Sequence, residues 1–221
     1  MGRHKLERFR INATRRNVIE PGKEIFDNIK GQWNSFFDNK NPLVLELGCG
    51  RGEYTTGLAE RFKDKNFIGV DIKGSRIWKG STVATENMLN NVAFLRIQMQ
   101  YLPDFFSERE VSEIWLTFPD PRPKDKEEKH RLTNPSFLKI YQNILSEDGM
   151  FHLKTDNNGL FEYTLGILSS GEVPVRNLQY TADLYSSPMA AESFGIKTTF
   201  ERKYLALGTR INYLRCNFIR S

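Results

Sequence analysis

The chain has little cysteine and no long apolar run. Its two cysteines, Cys49 and Cys216, lie far apart and neither belongs to a C-x-x-C pair, so the sequence indicates neither a zinc site nor a disulfide framework. We expect both to be small buried residues. No stretch approaches the ~18 apolar residues of a membrane span, and no apolar run follows the basic N-terminus. We therefore expect a cytoplasmic protein without an export signal.

The basic residues are concentrated at the two ends of the chain. The net charge is +5, and residues 1–16 contain six basic residues and one acid, as do residues 197–220. Two basic ends on a more acidic body predict contact with a polyanion such as nucleic acid. A solvated surface with a tag-like arm is the alternative. We expect a basic arm over residues 1–20, which could be flexible, and a single domain over 21–221.

Apolar runs alternate with helical patterns along the domain. Residues 21–38 carry apolar side chains at helical spacing and predict a first helix. The pattern then predicts strands at 43–48, 66–71, 92–98, 112–118 and 150–155, and helices near 53–62, 75–89, 101–107, 134–145 and 158–169. Asn134 followed by Pro135 is a favourable start for one of these helices.

Two final apolar runs, at 200–208 and 211–218, predict an antiparallel hairpin across a short turn. Together with the alternating strands and helices, they predict an α/β fold. Its sheet would be doubly wound, mainly parallel and seven-stranded, with the hairpin at its C-terminal end. In such folds ligands bind at the carboxyl ends of the parallel strands.

Residues 43–53 have the sequence LVLELGCGRGE. They form an apolar run that ends with an acid and is followed by three glycines. A second apolar run, FIGVDI, ends in Asp71 about twenty residues later. This is the pattern of a nucleotide-binding βαβ unit. Gly48 and Gly50 let the backbone turn and approach a ligand, and Asp71 is placed to accept hydrogen bonds from ribose hydroxyls.

The glycine spacing favours one cofactor class over another. A dinucleotide fingerprint reads G-x-G-x-x-G, but here the third glycine, Gly52, comes one position early. Glu46 precedes Gly48 by two residues, where a carboxylate repels a pyrophosphate but attracts the positive amino and sulfonium end of S-adenosylmethionine. The pattern favours this methyl donor over NAD, and an ordinary strand-turn-helix that binds nothing stays open.

The run FPDPRPK, residues 118–124, places an acid among three prolines at the end of a strand. Proline fixes its own φ and favours extended geometry in the residue before it, so Asp120 is predicted to be held in place. The basic residues that follow suit a substrate with both phosphates and a base. A rigid turn with a charged solvent face is the alternative.

Three further polar residues stand at element ends. Asp156 follows a predicted strand, and Thr198 and Glu201 lie three residues apart where the chain enters the expected hairpin. Asp156 could instead cap the next helix, and Glu201 could be a surface carboxylate paired with Arg202 or Lys203. Each residue therefore has a functional and a structural interpretation.

Taken in order, these motifs resemble those of one family. The runs ELGCGRGEY, GVDI, FPDPRPKDKEEKHRLT, HLKTDNNGLFEYT and TTFERKYLALG are similar to those of the bacterial tRNA (guanine-N7-)-methyltransferases of the TrmB type. The resemblance extends from about residue 43 to the last residue given. The run that begins at Phe118 is the specific part, whereas G-x-G-x-G alone indicates only some class I methyltransferase.

The resemblance implies a Rossmann-like class I methyltransferase with S-adenosylmethionine as cofactor and tRNA as partner. It implies methyl transfer to guanine N7, in the variable loop. By resemblance the cofactor contacts are Glu46, Asp71, Gln98 and Asp120, and the substrate contacts are Lys124, Asp156 and the segment from Thr198 to Glu201. Two positions depart from the common pattern, since Gln98 stands where the family commonly has an acid and Arg122 where it commonly has an aromatic residue.

We assign the catalytic role to Asp120, whose carboxylate would stabilise the positive charge that develops on the guanine ring. A contact between Asp120 and the amino end of the cofactor is the other possibility. No metal ion is needed for this chemistry. The alternatives are a methyltransferase acting on another RNA or a small molecule, and a non-catalytic RNA-binding protein. Monomer and homodimer stay open.

Overall fold

The structure is a computed structural model that describes residues 3–220. Within these residues a mixed sheet of eight strands has the order β1-β4-β3-β2-β5-β6-β8-β7. The strands are β1 (Val18–Ile19), β2 (Leu43–Leu47), β3 (Asn66–Val70), β4 (Val92–Leu95), β5 (Val111–Thr117), β6 (Leu145–Thr155), β7 (Val175–Thr181) and β8 (Asn212–Phe218). Neighbours among β1 to β6 pair in parallel, and β8 is antiparallel to β6 and β7. The predicted mainly parallel α/β sheet is confirmed.

Helices cover both faces of this sheet. They are α1 (Arg3–Thr14), α2 (Glu24–Asn28), α3 (Trp33–Phe37), α4 (Glu53–Arg61), α5 (Gly74–Glu86), α6 (Leu102–Phe105), α7 (Pro135–Ile144), α8 (Asn158–Ser170) and α9 (Thr199–Ala206), with 3₁₀ turns at Met99–Tyr101, Asp125–His130 and Pro188–Ser193. One buried cluster packs α4 and α5 against the sheet through Tyr54 and Ile77. The other packs α3, α7 and α8 through Trp33, Tyr141 and Phe161. The fold is therefore layered, with a core on each side of the sheet.

Several local predictions are confirmed. Asn134 caps α7, because its side chain accepts a hydrogen bond from the Ser136 backbone N–H and Pro135 is the first helical residue. The helices predicted at 53–62 and 158–169 correspond to α4 and α8. Cys49 and Cys216 are both buried.

The helix predicted over 21–38 is instead two short helices, α2 and α3. Gly31, which lies between them, has a φ of 71°, a left-handed conformation that ends a helix. Ile29, Trp33 and Phe37 are buried as their spacing predicted. The apolar pattern therefore identified the packed side chains but not the break.

The N-terminal segment belongs to the fold. Helix α1 packs along α5, and the buried Asn12 side chain donates a hydrogen bond of 2.9 Å to the Gly74 carbonyl. Strand β1 then pairs in parallel with β4 at the edge of the sheet. The boundary expected at residue 20 thus lies inside the packed structure, and residues 1 and 2 of the expected arm lie outside the described residues.

The predicted C-terminal hairpin is wrong. The first of its two runs forms helix α9, because Thr198 and Glu201 make a capping box that starts a helix there. Only the second run is a strand, β8, and it lies between β6 and β7. The sheet described here has eight strands instead of seven, because β1 and β7 were not predicted and one predicted strand is helix α9.

Strands β2, β3, β5 and β6 are parallel neighbours. Their carboxyl ends therefore lie side by side along one edge of the sheet, perpendicular to the strands. The motifs identified in the sequence follow these strand ends directly. They are the glycine turn after Leu47, Asp71 after Val70, Phe118 after Thr117 and Asp156 after Thr155. The topology therefore gathers them at one edge, where ligands of such sheets bind.

Candidate active site

The glycine turn after β2 borders an open cavity of about 380 Å³. Gly48 and Gly50 have φ values of 74° and 55°, which other residues rarely adopt. A Cβ atom built on Gly48 would meet no atom within 4 Å, so a side chain there would project into space that a ligand can use. Gly52 differs, since its Cβ would lie 2.5 Å from the Phe94 ring. Its role is to let the turn pack on the core.

Glu46 lies on the floor of this cavity and is 3% exposed. One carboxylate oxygen accepts hydrogen bonds from the Thr55 backbone N–H, at 2.8 Å, and from the Thr55 hydroxyl. The other accepts from the Thr117 hydroxyl at 2.6 Å. Burial raises the pKa of Glu46 to about 7, although these hydrogen bonds and the charge of Lys154 oppose the shift. A cationic ligand would favour its ionised form.

Asp71 is a second buried carboxylate, at the end of β3. Its Oδ2 accepts a hydrogen bond of 3.0 Å from the Gly50 backbone N–H, and its Oδ1 accepts one of 2.7 Å from the Lys73 N–H. A carboxylate oxygen can accept two hydrogen bonds, so each retains capacity for a hydroxyl group. Asp71 thereby fixes the glycine turn and can bind a vicinal diol.

A further cavity, of about 420 Å³, includes in its lining Ile72, the residue after Asp71. It is lined by Pro21, Phe26, Ile72, Arg96, Ile97, Gln98, Tyr101, Asp104 and Phe105. Gln98 is exposed there, and its Oε1 accepts a hydrogen bond of 2.8 Å from Gln100 Nε2. Largely apolar walls with a few polar groups suit a flat base.

The residues present fit S-adenosylmethionine. The buried Glu46 carboxylate suits its cationic end, Asp71 suits its ribose hydroxyls, and the apolar cavity beside Ile72 suits its adenine. The open space above Gly48 accommodates the chain that connects them. Thr55 and Thr117, which bind Glu46, were missed by sequence reasoning because nothing in their local pattern marks them.

Asp120 lies on the exposed loop after β5. Its side chain is 64% exposed and forms an ion pair of 3.1 Å with Arg122 Nε. The Arg122 backbone N–H also donates to Asp120 at 3.3 Å. Arg122, the departure from the common aromatic residue, is therefore the partner that orients Asp120. The cavity lining includes Thr117 and Phe118, three and two residues before Asp120, but not Asp120 itself.

Two predicted substrate residues follow β5 and β6 in the chain. Lys124 is exposed and precedes the 3₁₀ turn that begins at Asp125. Asp156 is half-buried after β6. It does not cap α8, because Asn157 accepts the capping hydrogen bond from the Leu160 N–H at 2.8 Å. The structural alternative for Asp156 is therefore wrong.

Glu201 is fully buried. Its carboxylate lies 2.8 Å from Lys154 Nζ, and both side chains are 0% exposed. It also accepts a hydrogen bond of 2.5 Å from the Tyr185 hydroxyl. A surface pair with Arg202 or Lys203 is thus excluded. Burial lowers the pKa of Lys154, while the charges of Glu201 and Glu46 oppose the shift.

Helix α9 borders the cavity through its first turn. Thr198, Thr199 and Phe200 line the cavity. Glu53, the first residue of α4, accepts hydrogen bonds of 2.6 Å from both the backbone N–H and the hydroxyl of Thr199. The starts of α4 and α9 are thereby joined beside the glycine turn.

Two aromatic rings stand at the opening of this cavity. Phe118 and Phe200 line it with their ring centroids 5.2 Å apart, and Phe200 is 43% exposed. Exposed aromatic faces of this kind can stack on a nucleobase. Sequence reasoning missed this pair because Phe200 was expected on a strand.

Comparisons with known proteins agree with this geometry. The family described as "Putative methyltransferase" matches residues 40–214. A tRNA (guanine-N(7)-)-methyltransferase of Cytophaga hutchinsonii is 47% identical, covering 99% of both chains. One of Christiangramia forsetii is 48% identical over 96% of this chain and 97% of the relative. The crystal structure of the 16S rRNA methyltransferase KamB is similar in fold, with a TM-score of 0.64 at 14% identity, covering 86% of this chain and 94% of that one.

Within residues 3–220, no helix is both long and apolar enough to cross a membrane. In the same part of the chain, no group of three or more histidine, cysteine, aspartate or glutamate side chains could hold a metal ion.

Proposed function

The chain belongs to the bacterial tRNA (guanine-N7-)-methyltransferase family, and from this we propose that it methylates N7 of a guanine in the variable loop of tRNA. The observation that best supports the chemistry is the cavity at the carboxyl ends of the strands, with Glu46 on its floor and Asp71 beside its glycine turn. We also propose a cytoplasmic location, where such a substrate is found.

The methyl transfer depends on position more than on proton transfer. Guanine N7 carries a lone pair at neutral pH, so no side chain has to remove a proton. When bound, S-adenosylmethionine supplies an electrophilic methyl group. Glu46, Asp71 and Gln98 would hold its cationic end, ribose and base, respectively. Holding two reactants in near-attack geometry can contribute ~7 to 11 kcal/mol.

Asp120 acts on the guanine. Positive charge passes to the ring as the bond from N7 to the methyl group forms and the bond from the methyl group to sulfur breaks, and a carboxylate beside the ring stabilises this charge. Asp120 also accepts hydrogen bonds from the guanine N1 and N2 groups. Its exposed ion pair with Arg122 is worth at most ~1 kcal/mol, so a bound base can displace Arg122 at small cost.

The exposure or burial of each side chain supports the remaining substrate contacts of this proposal. Lys124 is exposed and contacts a phosphate, and Thr198 contacts the nucleotide from the cavity wall. Asp156 is the better candidate for a second carboxylate at the guanine, because Glu201 is already engaged by Lys154 and Tyr185. The exposed basic residues of α1 add affinity for the RNA backbone.

One experiment tests the proposal directly. The protein is incubated with labelled S-adenosylmethionine and unmodified tRNA, and the labelled nucleoside is identified and located. We expect 7-methylguanosine in the variable loop, and no label in a tRNA whose variable-loop guanine is replaced by adenine. Label at another nucleoside, or at a guanine elsewhere, contradicts the proposal.

Asp71→Ala is expected to weaken S-adenosylmethionine binding by ~1 to 3 kcal/mol, because charge-assisted hydrogen bonds to the ribose are lost. Asp71→Asn separates this effect from a disturbed glycine turn, since the amide retains one acceptor for the turn. Asp64→Ala, an exposed acid before β3, is the control. If titration calorimetry finds unchanged cofactor affinity in a folded Asp71→Ala protein, Asp71 does not bind the ribose.

Cofactor binding should depend on pH through Glu46. Its pKa is raised to about 7, and a cationic ligand favours the carboxylate, so affinity should rise as the pH increases through 7 with proton release. Without ligand, the stability of the fold has the opposite dependence on pH. The folded protein holds this proton more tightly than the unfolded chain, so stability should fall as pH rises from about 4.5 to 7. Both effects should be absent in Glu46→Gln.

Calorimetry in buffers of different ionisation enthalpy measures the proton release, and denaturant unfolding measures the stability. Glu46→Gln should also bind the cofactor more weakly than the parent at pH 8. An affinity that does not change between pH 6 and 8 would show that the carboxylate does not face the cationic end of the cofactor.

A further inference from the structure

A groove lies beside the cavity at the glycine turn, which is called the cofactor cavity below, between α4, α5 and the segment that leads into α9. Its volume is about 360 Å³. Its lining includes Arg51, Glu53, Lys79, Ile196, Lys197 and Arg202. None of the site residues inferred from the sequence lies in this groove.

The groove carries net positive charge. Four of its lining residues are cationic, namely Arg51, Lys79, Lys197 and Arg202. Among residues 3–220, none of these four lies within 4.0 Å of a carboxylate oxygen in an ion pair. Its single acid, Glu53, is engaged by both donors of Thr199. A basic cleft of this kind attracts an anion.

The walls of the groove are fixed by packing. Gly57 on α4 has no side chain, and a Cβ there would lie 2.9 Å from Cγ2 of Ile196. The segment before α9 therefore packs directly on α4, and the hydrogen bonds from Thr199 to Glu53 hold its other end. Lys197 is held against the Tyr185 ring, with Nζ 4.5 Å from the centroid. The cations are thus arranged on a built surface.

The groove is continuous with the cofactor cavity. Arg51 and Glu53 line both. On α5, Arg76 lines the cofactor cavity and Lys79, one turn later, lines the groove. A nucleotide strand that presents a base at the cavity would therefore carry its next phosphates along the groove.

We propose that this groove binds the backbone phosphates next to the guanosine that is methylated. The inference rests on the proposed function, because it assigns the groove to the same RNA. Lysine and arginine bind phosphate oxygens without reading sequence, so the groove sets the register of the strand and its cations release counterions on binding.

The test compares two double variants of the full chain. Lys79→Ala/Arg202→Ala removes two groove cations. The control, Lys40→Ala/Lys63→Ala, removes two exposed lysines that precede the amino ends of β2 and β3, away from the carboxyl ends where the site lies. The tRNA dissociation constant is measured against salt concentration. The groove variant should bind at least ~10-fold more weakly at physiological salt, with a log–log slope smaller by about 1 for each cation removed. The control variant should match the parent.

Cofactor affinity and melting temperature should be unchanged in both variants, which separates the groove from the cofactor site and from the fold. Lys79→Gln/Arg202→Gln provides a second neutral pair should the alanine variant be unstable. If the parent protein methylates tRNA but both double variants keep its salt slope, the groove inference is overturned and the function stands. If the parent neither binds nor methylates tRNA, the proposed function itself fails.

Discussion

Replacing Asp120 with asparagine is expected to slow methyl transfer by about 10² to 10³-fold, the range seen when one preorganised electrostatic group is removed. The amide keeps the size of the side chain and loses the charge that stabilises the methylated ring. Binding of tRNA should change little. Single-turnover rates at saturating cofactor and tRNA measure the chemical step directly.

Asp125→Asn is the matched control, because it removes one exposed acid from the same loop. Arg122→Ala tests the ion pair, and its effect should be much smaller than that of Asp120→Asn. With saturating cofactor the rate should show no step near pH 7, because no general base is required. A normal rate in Asp120→Asn, or tRNA affinity that collapses while the rate survives, would move Asp120 from catalysis to recognition.

Glu201→Ala should destabilise the fold by ~3 to 5 kcal/mol, because it leaves the ammonium of Lys154 buried without its partner. It also removes the acceptor of the Tyr185 hydroxyl and half of the capping box of α9. Denaturant unfolding measures this loss.

The double variant Lys154→Met/Glu201→Gln should recover most of that stability, since replacing a buried pair together avoids an isolated charge. Lys203→Ala, on the same helix but exposed, is the control and should lie within ~0.5 kcal/mol of the parent. A loss below ~1 kcal/mol in Glu201→Ala would contradict the buried pair.

The sequence was most informative where a local rule determines the structure. The apolar runs before Gly48 and Asp71 predicted two parallel strands, and the capping signal at Asn134 predicted the start of a helix. These features depend on a few neighbouring residues. The sequence-based prediction failed for α9. The spacing of Thr198 and Glu201 is a helix-capping signal, but it was interpreted as part of a hairpin.

The partners of the site residues could not be predicted, because they come from distant parts of the chain. Glu201 meets Lys154 only because α9 packs over the end of β6. Asp120 was predicted to be fixed by prolines, whereas its observed partner is Arg122. Residue types and strand ends thus locate the site, while the tertiary fold determines which charges are buried together.

The position of β8 has a consequence for how the chain folds. It lies between β6 and β7 but follows both in the sequence, so β7 has no hydrogen-bonded neighbour until β8 is inserted. Pairing β6 with β8 also joins residues far apart in the chain, which is slow because a long loop must close first. Before that step two unpaired strand edges face solvent and can join other chains. We expect insertion of β8 to be a late folding event and the stage most prone to aggregation.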